Sequence, residues 1–324
     1  MSGANTFKFV MLPPQSEITR GWGRQLADAM PEVRVVIAED QAAAEREIVD
    51  AEAAFGRLPR EVLAKARRLR WLQAPAAAPP AGFFYPELTA HPVTVTNLRG
   101  TYADHVATHA LAFVLAFARG LDYYHGQQAV GVWRPDQGRL VHLPESMVLL
   151  VGVGAIGEEL TRLLAPFATH LVGIDARRRE PPPGMAEVHA PDQLDQLLPT
   201  ADFVILTIPH TPRTAGLIDR RRLRLMKPSA FLINVGRGAT VRLDDLTAAL
   251  AAGEVAGVGL DVFESEPLPP GHPLWTAERV LITPHVAGAG PHVRERRAAL
   301  VAENARRFAA GRELCCVVDK ASWY

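Results

Sequence analysis

Cysteine is nearly absent from the chain, since only Cys315 and Cys316 occur, side by side near the C-terminus. A bond between neighbouring cysteines is strained and a cytosolic setting keeps thiols reduced, so we expect neither residue to have a structural or functional role. An excess of one charge is absent as well, because 35 Lys and Arg balance 35 Asp and Glu. The chain has no overall field to attract nucleic acid or anionic lipid, and we expect neither as a partner.

A long hydrophobic run is also absent. The most apolar helical segment, His109 to Ala118, is far shorter than the roughly 18 residues that a membrane-spanning helix needs. The segment from Met1 to Val10 has one lysine and no long apolar core, unlike a signal peptide. We therefore expect a cytoplasmic protein without a membrane partner.

What the chain does have is the composition of an ordinary globular protein. Its 324 residues, 48% of them apolar and 22% charged, suffice for two domains of about 150 residues each. Short apolar segments alternate with helical patterns through the first hundred residues, and the alternation resumes at Met147. This alternation is typical of βαβ units, so we predict an α/β fold with two doubly wound parallel sheets.

The predicted elements fall into two series. The first has strands at 7–12, 33–38, 53–55, 71–73 and 93–96 and helices at 21–30 and 41–51. The second has six strands, at 147–151, 170–175, 203–207, 231–235, 255–260 and 280–283. An apolar helix at 101–121 lies between the series, and a last helix at 291–310 leaves the second sheet. The predicted domains are residues 1–100 with 292–324, and residues 101–291.

A glycine motif follows the first strand of the second series. Gly152, Gly154 and Gly157 have the spacing G-x-G-x-x-G and lead into a helix. Gly152 permits a tight turn, Gly154 lets the backbone approach a pyrophosphate, and Gly157 lets the helix pack closely on the strand. The amides at the helix start, including Ala155 and Ile156, then bind phosphate. This context predicts a Rossmann domain that binds a dinucleotide.

An acidic residue stands where such a domain needs one. Asp175 ends the next strand, 18 residues after Gly157 (175 − 157), close to the roughly 20 expected for the carboxylate that binds the adenosine ribose. The carboxylate repels a 2′-phosphate and favours NAD. Three arginines follow directly, however, as an NADP site would use them. We expect NAD, with NADP as the alternative. The competing interpretation is that no dinucleotide binds: the glycines then only form an ordinary βα turn, and Asp175 is a surface residue.

Three further segments follow late strands of the second series, where open α/β sheets bind ligands. They are INVGRG (233–238), LDVFESEP (260–267) and TPH (283–285). With the glycine motif, they resemble the D-isomer-specific 2-hydroxyacid dehydrogenases, the family of phosphoglycerate dehydrogenase and hydroxypyruvate and glyoxylate reductases. The resemblance covers nearly the whole chain, weakly before residue 70. It implies a Rossmann NAD-binding domain inserted in a flavodoxin-like substrate domain.

The resemblance also implies a chemistry, the transfer of a hydride between NAD(H) and a small 2-keto or D-2-hydroxy acid. Reduction of a keto carbon leaves an alkoxide that must be protonated, so the site needs a general acid, and His285 matches it. Glu266 matches the carboxylate that favours the imidazolium form, whereas Glu264 does not stand at the matching position. Arg237 matches the residue that binds the substrate carboxylate and polarises the carbonyl.

Further binding residues are implied in the same way. Asp261 matches the residue that holds the nicotinamide carboxamide. The segment PHTPRT (209–214) matches a loop beneath the cofactor, so we expect contacts from Pro209 and Thr214 and, after the next strand, from Val235. His210 in that loop is interpreted as a surface residue.

The loop after strand 71–73 departs from the family pattern. The resemblance implies that amides of Ala77 and Ala78 bind the substrate carboxylate, but Ala78 stands where glycine is usual. Pro79 and Pro80 follow directly, and proline offers no amide hydrogen. The aromatic group 83–85 either lines the pocket or, more in keeping with aromatic clusters, packs beneath the loop.

Two histidines on helix 101–121 raise the question of a metal. His105 and His109 stand four apart, as ligands can, but no glutamate separates them in the metalloprotease pattern and the family needs no metal. We expect none. The resemblance also implies a homodimer, formed largely through the NAD-binding domain and this helix.

Other interpretations remain open. Taken singly, His285 also fits a strand cap, Arg237 a solvated turn residue and Asp261 a turn cap. One competing function is oxidation of another small anion, formate or phosphite, although formate dehydrogenases carry glutamine where this chain has Glu266. Another is a regulatory scaffold that senses NAD, as in the C-terminal binding corepressors, which keep the same three residues.

Overall fold

The apolar segments of the sequence form short parallel strands, most of them buried on both faces, as near-continuous runs of Val, Leu, Ile and Phe predict. The computed structural model describes residues 6–78, 82–135, 140–321 and 323. The chain divides into two compact units, Met1–Thr101 with Gly290–Tyr324, and Tyr102–Ala289. The boundaries predicted from the sequence, after residue 100 and before residue 292, differ from these by one and two residues.

The first unit contains a sheet of five parallel strands in the order β2-β1-β3-β4-β5. This is the flavodoxin-like order that the resemblance implied. Its strands are β1 (Phe7–Met11), β2 (Val33–Ile37), β3 (Ala53–Phe55), β4 (Trp71–Gln73) and β5 (Thr94–Thr96). Its helices are α1 (Glu17–Ala29), α2 (Gln41–Glu47), α3 (Arg60–Leu63), α4 (Pro86–Ala90) and, from the end of the chain, α11 (Val293–Ala309).

Alternation along β1 fills the core on both faces of this sheet. Phe7, Phe9 and Met11 belong to one buried cluster, which includes residues of α1 and α11, while Val10 belongs to another, under α2, α3 and α4. The period of two along a strand thus gives each helical layer its own core.

The second unit contains seven parallel strands in the order β12-β11-β10-β9-β6-β7-β8. Counted from β6, this is the Rossmann order 3-2-1-4-5-6 with one strand added, so both predicted folds are confirmed. Its strands are β6 (Met147–Val151), β7 (His170–Ile174), β8 (Glu187–His189), β9 (Phe203–Leu206), β10 (Phe231–Asn234), β11 (Gly257–Leu260) and β12 (Val280–Ile282). Its helices are α5 (Ala103–Ala118), α6 (Leu121–Ala129), α7 (Ala155–Leu164), α8 (Leu194–Leu197), α9 (Arg220–Leu223) and α10 (Leu243–Ala251).

Two predictions about this unit were wrong. Six strands were expected, and the additional one is β8, a three-residue edge strand whose sequence Glu-Val-His has too short an apolar pattern to be recognised. The single helix predicted at 101–121 ends at Ala118. Gly120 then adopts the left-handed conformation, with φ of 64°, and α6 starts as a separate helix.

The most apolar helix, α5, packs against the sheet of its own unit. Phe117 stacks on Phe231 of β10 with ring centroids 4.7 Å apart. Phe113 lies over Gly259 of β11, where a Cβ atom would approach the phenyl ring to 2.8 Å. A glycine on β11 is therefore what lets α5 approach the sheet. Across the described ranges, no helix has both the length and the apolar character to cross a bilayer.

Candidate active site

The turn between β6 and α7 has the shape that the glycine motif predicts. Gly152 has φ of 106°, and a Cβ atom there would lie 2.8 Å from Oγ1 of Thr207. At Gly157 a Cβ atom would lie 2.3 Å from the carbonyl oxygen of Gly152. Side chains are thus excluded at both positions by the fold itself.

Gly154 differs from its two neighbours in the motif. It is the N-cap of α7, and a Cβ atom there would meet no atom within 4 Å. The absence of a side chain therefore leaves open space in front of the first amides of a ten-residue helix, which begins with Ala155 and Ile156. Helix amides that face open space fit a pyrophosphate, so the residues present are suited to a dinucleotide.

Asp175 lies beside this turn. Its carboxylate accepts hydrogen bonds from the backbone amide of Val153 at 2.9 Å and from those of Arg177 and Arg178 at 2.8 and 2.9 Å. Arg179 donates from its guanidinium to the carbonyl of Asp175 at 2.7 Å. The acid and the glycine turn predicted to bind one dinucleotide are therefore brought together, with the arginines around them.

His285 and Glu266, 19 positions apart in the sequence, form a close pair. Nδ1 of His285 lies 2.7 Å from one carboxylate oxygen of Glu266, and the other oxygen accepts the amide of Phe263 at 3.0 Å. The imidazole is about half exposed, at 48% of its side-chain surface. With Nδ1 turned to Glu266, Nε2 is the nitrogen that remains for an external partner.

Glu264 has a different partner from Glu266. Its carboxylate accepts the amide of Leu243 at 2.7 Å, the first residue of α10. A carboxylate at a helix N-terminus satisfies an amide that has no partner within the helix and interacts favourably with the helix dipole. The two glutamates thus have different partners, and it is Glu266 that contacts His285.

Arg237 lies between two glycines because neighbouring chain segments leave no room for side chains there. A Cβ atom on Gly236 would lie 2.6 Å from the carbonyl oxygen of Ile208, and one on Gly238 would lie 1.9 Å from the carbonyl carbon of Phe263. The guanidinium of Arg237 donates to the carbonyl of Gly236 at 2.6 Å.

Asn234, which the sequence reasoning did not select, fixes the backbone around Arg237. Its side-chain amide donates to the carbonyl of Arg237 at 3.1 Å, and its side-chain oxygen accepts the amide of Gly236 at 3.1 Å. Asn234 is fully buried. The available signal was a polar side chain at the last position of an otherwise apolar strand.

Asp261 is buried and bonded to the segment that carries His285. Its carboxylate accepts the Thr283 hydroxyl at 2.7 Å and the amides of Val286 and Ala287 at 2.9 and 3.0 Å. Its carbonyl accepts the amide of His285 at 2.8 Å. Asp261 therefore holds this segment, whatever else it binds; the carboxamide contact stays a prediction.

The loop after β9 is closed on itself. The Thr214 hydroxyl donates to the carbonyl of Pro209 at 2.7 Å and accepts the amide of Thr211 at 2.8 Å. Val235, also predicted to contact the cofactor, is 4% exposed and belongs to the hydrophobic core. Its side chain is thus committed to packing, and a cofactor contact from this residue would come from its backbone.

In the first unit, Ala77 and Ala78 follow β4. The side-chain amide of Asn97 donates to the carbonyl of Ala77 at 2.7 Å. Pro79 and Pro80, the departure from the family pattern, lie outside the described residues. The role of the two alanines in binding a carboxylate stays a prediction.

The aromatic group 83–85 that follows this loop packs against the core of its unit, as predicted for aromatic residues that serve burial. Phe83 is 2% exposed within the core of the first unit. Tyr85 donates its hydroxyl to the carbonyl of Leu58 at 2.8 Å, and burial raises the pKa of Tyr85 to about 12.

The two histidines of α5 have separate partners. His105 Nδ1 lies 3.1 Å from a carboxylate oxygen of Asp104, whereas His109 Nε2 lies 2.9 Å from the Thr283 hydroxyl. Among the residues for which the structure gives a position, no group of three or more His, Cys, Asp or Glu side chains is arranged to hold a metal ion.

Known proteins give an independent comparison. The family model of the D-isomer specific 2-hydroxyacid dehydrogenase NAD-binding domain matches residues 111–287. A glyoxylate reductase of Thermofilum pendens is 36% identical over 223 residues, 68% of this chain and 66% of its own. One from Korarchaeum cryptofilum is 35% identical over 230 residues, 69% of each chain.

A solved structure extends the likeness to both units. The D-isomer specific 2-hydroxyacid dehydrogenase of Xanthobacter autotrophicus Py2, in complex with NADPH and MES, superposes with a TM-score of 0.86 at 28% identity. That match covers 98% of this chain and 100% of the other. The chain therefore belongs to the D-isomer specific 2-hydroxyacid dehydrogenase family and carries its NAD-binding domain.

Proposed function

We propose that the protein is an NAD(P)-dependent oxidoreductase that reduces small 2-keto acids and oxidises the corresponding D-2-hydroxy acids. The observation that carries the proposal is the 2.7 Å contact between His285 Nδ1 and Glu266. A carboxylate at this distance stabilises the imidazolium and leaves Nε2–H directed elsewhere, which is the arrangement that a general acid for an alkoxide requires. Family membership supports the same reaction class.

Each residue of the site has a proposed task. A nicotinamide cofactor held at the glycine turn would supply or accept the hydride. His285 gives a proton from Nε2 to the carbonyl oxygen in reduction and takes it back in oxidation, while Glu266 stabilises the charged imidazole. Arg237 binds the substrate carboxylate and polarises the carbonyl with its planar donors.

The remaining assignments concern binding. The amides of Ala77 and Ala78 donate to the substrate carboxylate. On the cofactor side, Gly154, Ala155 and Ile156 donate to the pyrophosphate in the open space before α7. Further cofactor contacts are assigned to the remaining members of the predicted set, Gly152, Gly157, Pro209, Thr214, Val235 and Asp261.

Asp175 is assigned to the adenosine ribose, with NAD as the preferred cofactor. Its carboxylate is held beside the glycine turn by three backbone amides, so a 2′-phosphate would have to approach a fixed negative charge. The surrounding arginines favour NADP, and the Xanthobacter relative was crystallised with NADPH. We weigh the fixed carboxylate more heavily, because Arg178 and Arg179 already donate to backbone carbonyls of this turn.

Glyoxylate is the first substrate to test, because two relatives at 35 and 36% identity are named glyoxylate reductases. The decisive experiment measures initial rates of NADH and NADPH oxidation with glyoxylate, hydroxypyruvate, pyruvate and a bulky phenyl keto acid. We expect His285→Ala to lower kcat about a thousandfold, since general acid catalysis contributes about 10²–10⁴. His170→Ala is the matched control, because this exposed histidine is the first residue of β7, whereas the site residues follow the carboxyl ends of the strands.

The outcomes separate the candidate functions. Turnover that is lost in His285→Ala and kept in His170→Ala supports the dehydrogenase. Tight NADH binding by the wild type without turnover of any keto acid would favour the NAD-sensing scaffold. Turnover unaffected by His285→Ala would remove His285 from its proposed role.

We also propose a homodimer that forms through the surface of α6, residues 130–135 and Leu140. Apolar side chains are exposed here in unusual density: Leu121, Val130, Val132, Trp133 and Leu140. Trp133 is 98% exposed, and contiguous apolar patches mark interaction sites. The test is the mass of the wild type and of the Val130→Ser, Trp133→Ser double variant in sedimentation equilibrium. A dimer that the double variant does not weaken would place the interface elsewhere.

A further inference from the structure

The backbone at His285 adopts a conformation that needs support. Its φ is 53°, in the left-handed region that residues with a side chain seldom occupy. Four hydrogen bonds connect the segment from Thr283 to Ala287 with Asp261, one to its carbonyl and three to its carboxylate. The presentation of His285 thus depends on where the Asp261 carboxylate lies.

The Asp261 carboxylate is held in turn by Thr283. A threonine hydroxyl has one proton, and here that proton is donated to Asp261 at 2.7 Å. The 2.9 Å contact between the same hydroxyl and Nε2 of His109 must therefore have the histidine as donor. This requirement fixes His109 with a proton on Nε2.

His109 is itself fixed by packing. Its ring meets that of Phe113, one turn further along α5, edge to face at 4.9 Å. Phe113 has room only because Gly259 has no side chain. His109 is 22% exposed and Asp261 2% exposed, so water competes little for these bonds.

We propose that His109 is a positioning residue of the active site, acting through Thr283 and Asp261 on the turn that presents His285. Its Nε2–H orients the Thr283 hydroxyl, the hydroxyl orients the Asp261 carboxylate, and the carboxylate holds the amides of Val286 and Ala287. His109 touches neither substrate nor cofactor in this scheme. The effect of His109 on catalytic turnover rests on the proposed function. Its effect on the hydrogen bonds between Asp261 and the segment from Thr283 to Ala287 does not.

The test compares His109→Leu with His109→Gln, because glutamine keeps an N–H donor on a side chain of similar reach and leucine does not. The first readout is amide hydrogen exchange at Val286 and Ala287. We expect exchange roughly tenfold faster in His109→Leu, as for the loss of about one hydrogen bond, and within about threefold of wild type in His109→Gln. Equal exchange in wild type and His109→Leu would overturn the proposal, as would a glutamine variant no better than leucine.

The second readout is kinetic. We expect His109→Leu to lower kcat for keto-acid reduction by roughly tenfold, with KM within about threefold, because the proton donor is misplaced while the substrate contacts remain. A merely structural residue would lower the melting temperature without this separation of kcat from KM.

A double-mutant cycle with Thr283→Val tests the series of contacts. If His109 acts only through the hydroxyl, the double variant is no slower than the slower single variant, whereas independent roles would multiply to roughly a hundredfold. Thr283→Ser, which keeps the hydroxyl, is the control, and the Thr283 variants also decide the matter if His109→Leu does not fold. If the wild type shows no turnover, the proposed function fails, and the hydrogen-exchange data still test the positioning role of His109. If the wild type turns over but exchange is unchanged in His109→Leu, only the positioning role of His109 is contradicted.

Discussion

The two units hold their proposed site residues in different ways. In the second unit, the groups proposed to act on the substrate are side chains held in place by other groups, as Glu266 holds His285 and Asn234 holds the backbone at Arg237. In the first unit, the proposed donors are backbone amides of Ala77 and Ala78, and the Asn97 side chain bonds the carbonyl of Ala77. A function carried by a side chain requires one residue type, whereas an amide is available from any residue except proline. The substrate-binding residues of the second unit should therefore respond strongly to side-chain replacement, and those of the first unit weakly.

The largest loss of activity is expected when Arg237 of the second unit is replaced. We expect Arg237→Ala to lower kcat/KM about a thousandfold, because truncating one partner of a hydrogen-bonded charge pair costs about 4 kcal/mol. Arg237→Lys should recover only part, since a single ammonium cannot reproduce two planar donors. Arg224→Ala, which removes an exposed guanidinium paired with Glu254, is the control. Steady-state kinetics with a saturating cofactor measure the difference, and an Arg237→Ala enzyme near wild type would reverse the comparison.

A smaller effect is expected at Glu266. Glu266→Gln replaces the carboxylate that contacts Nδ1 of His285 with a neutral amide, so the imidazole loses a charge-assisted hydrogen bond that fixes its orientation. At neutral pH we expect kcat to fall by roughly tenfold, the value of a charge-assisted hydrogen bond. The matched control is Glu264→Gln, which acts at the start of α10 and should leave kcat unchanged. A Glu266→Gln enzyme with the kcat of the wild type would argue against the pair.

Asp175 tests the same principle for cofactor choice. We expect Asp175→Ala to weaken NADH binding by roughly tenfold, as the ribose hydrogen bonds are lost, and to affect NADPH far less, since the replaced carboxylate also repelled its phosphate. Fluorescence titration of both cofactors measures this ratio. Asp192→Ala, an exposed acid of the same unit, is the control. Equal weakening of the two cofactors would remove Asp175 from the ribose site.

The contrast also explains what the sequence could predict. The two sheets, nearly all the strands and the glycine turn follow from short apolar segments that alternate with helical patterns and from glycines that the fold requires, as at Gly157. The contact of His285 with Glu266 rather than Glu264 could be predicted because the resemblance to the family implied which of the two glutamates stands at the matching position. Strand β8 could not, because three edge residues leave no pattern.

Supporting residues were harder to find than the residues they support. His109 was considered only as a metal ligand, since its partner Thr283 is 174 positions away and a sequence pattern does not reveal contacts of that range. Asn234 lies inside one of the selected segments. An asparagine at the end of a strand is, however, compatible both with an exposed residue and with a buried side chain that bonds the backbone. Such residues become visible only when the hydrogen bonds of a buried turn are accounted for one by one.

The smallest effect is expected in the first unit, at Ala78. If the amide alone binds the substrate carboxylate, Ala78→Ser keeps the donor and should change KM for the keto acid by no more than about twofold, the range of ordinary surface substitutions. Ala78→Pro removes the same donor and should raise KM by roughly tenfold, the equivalent of one hydrogen bond to a charged group, while the Kd of NADH stays the same. A serine variant as impaired as the proline variant would mean that the alanine methyl group matters, and the division between side-chain and backbone function would no longer follow the two units. A proline variant as active as wild type would move the carboxylate contact away from Ala78 and leave Arg237 as its main anchor.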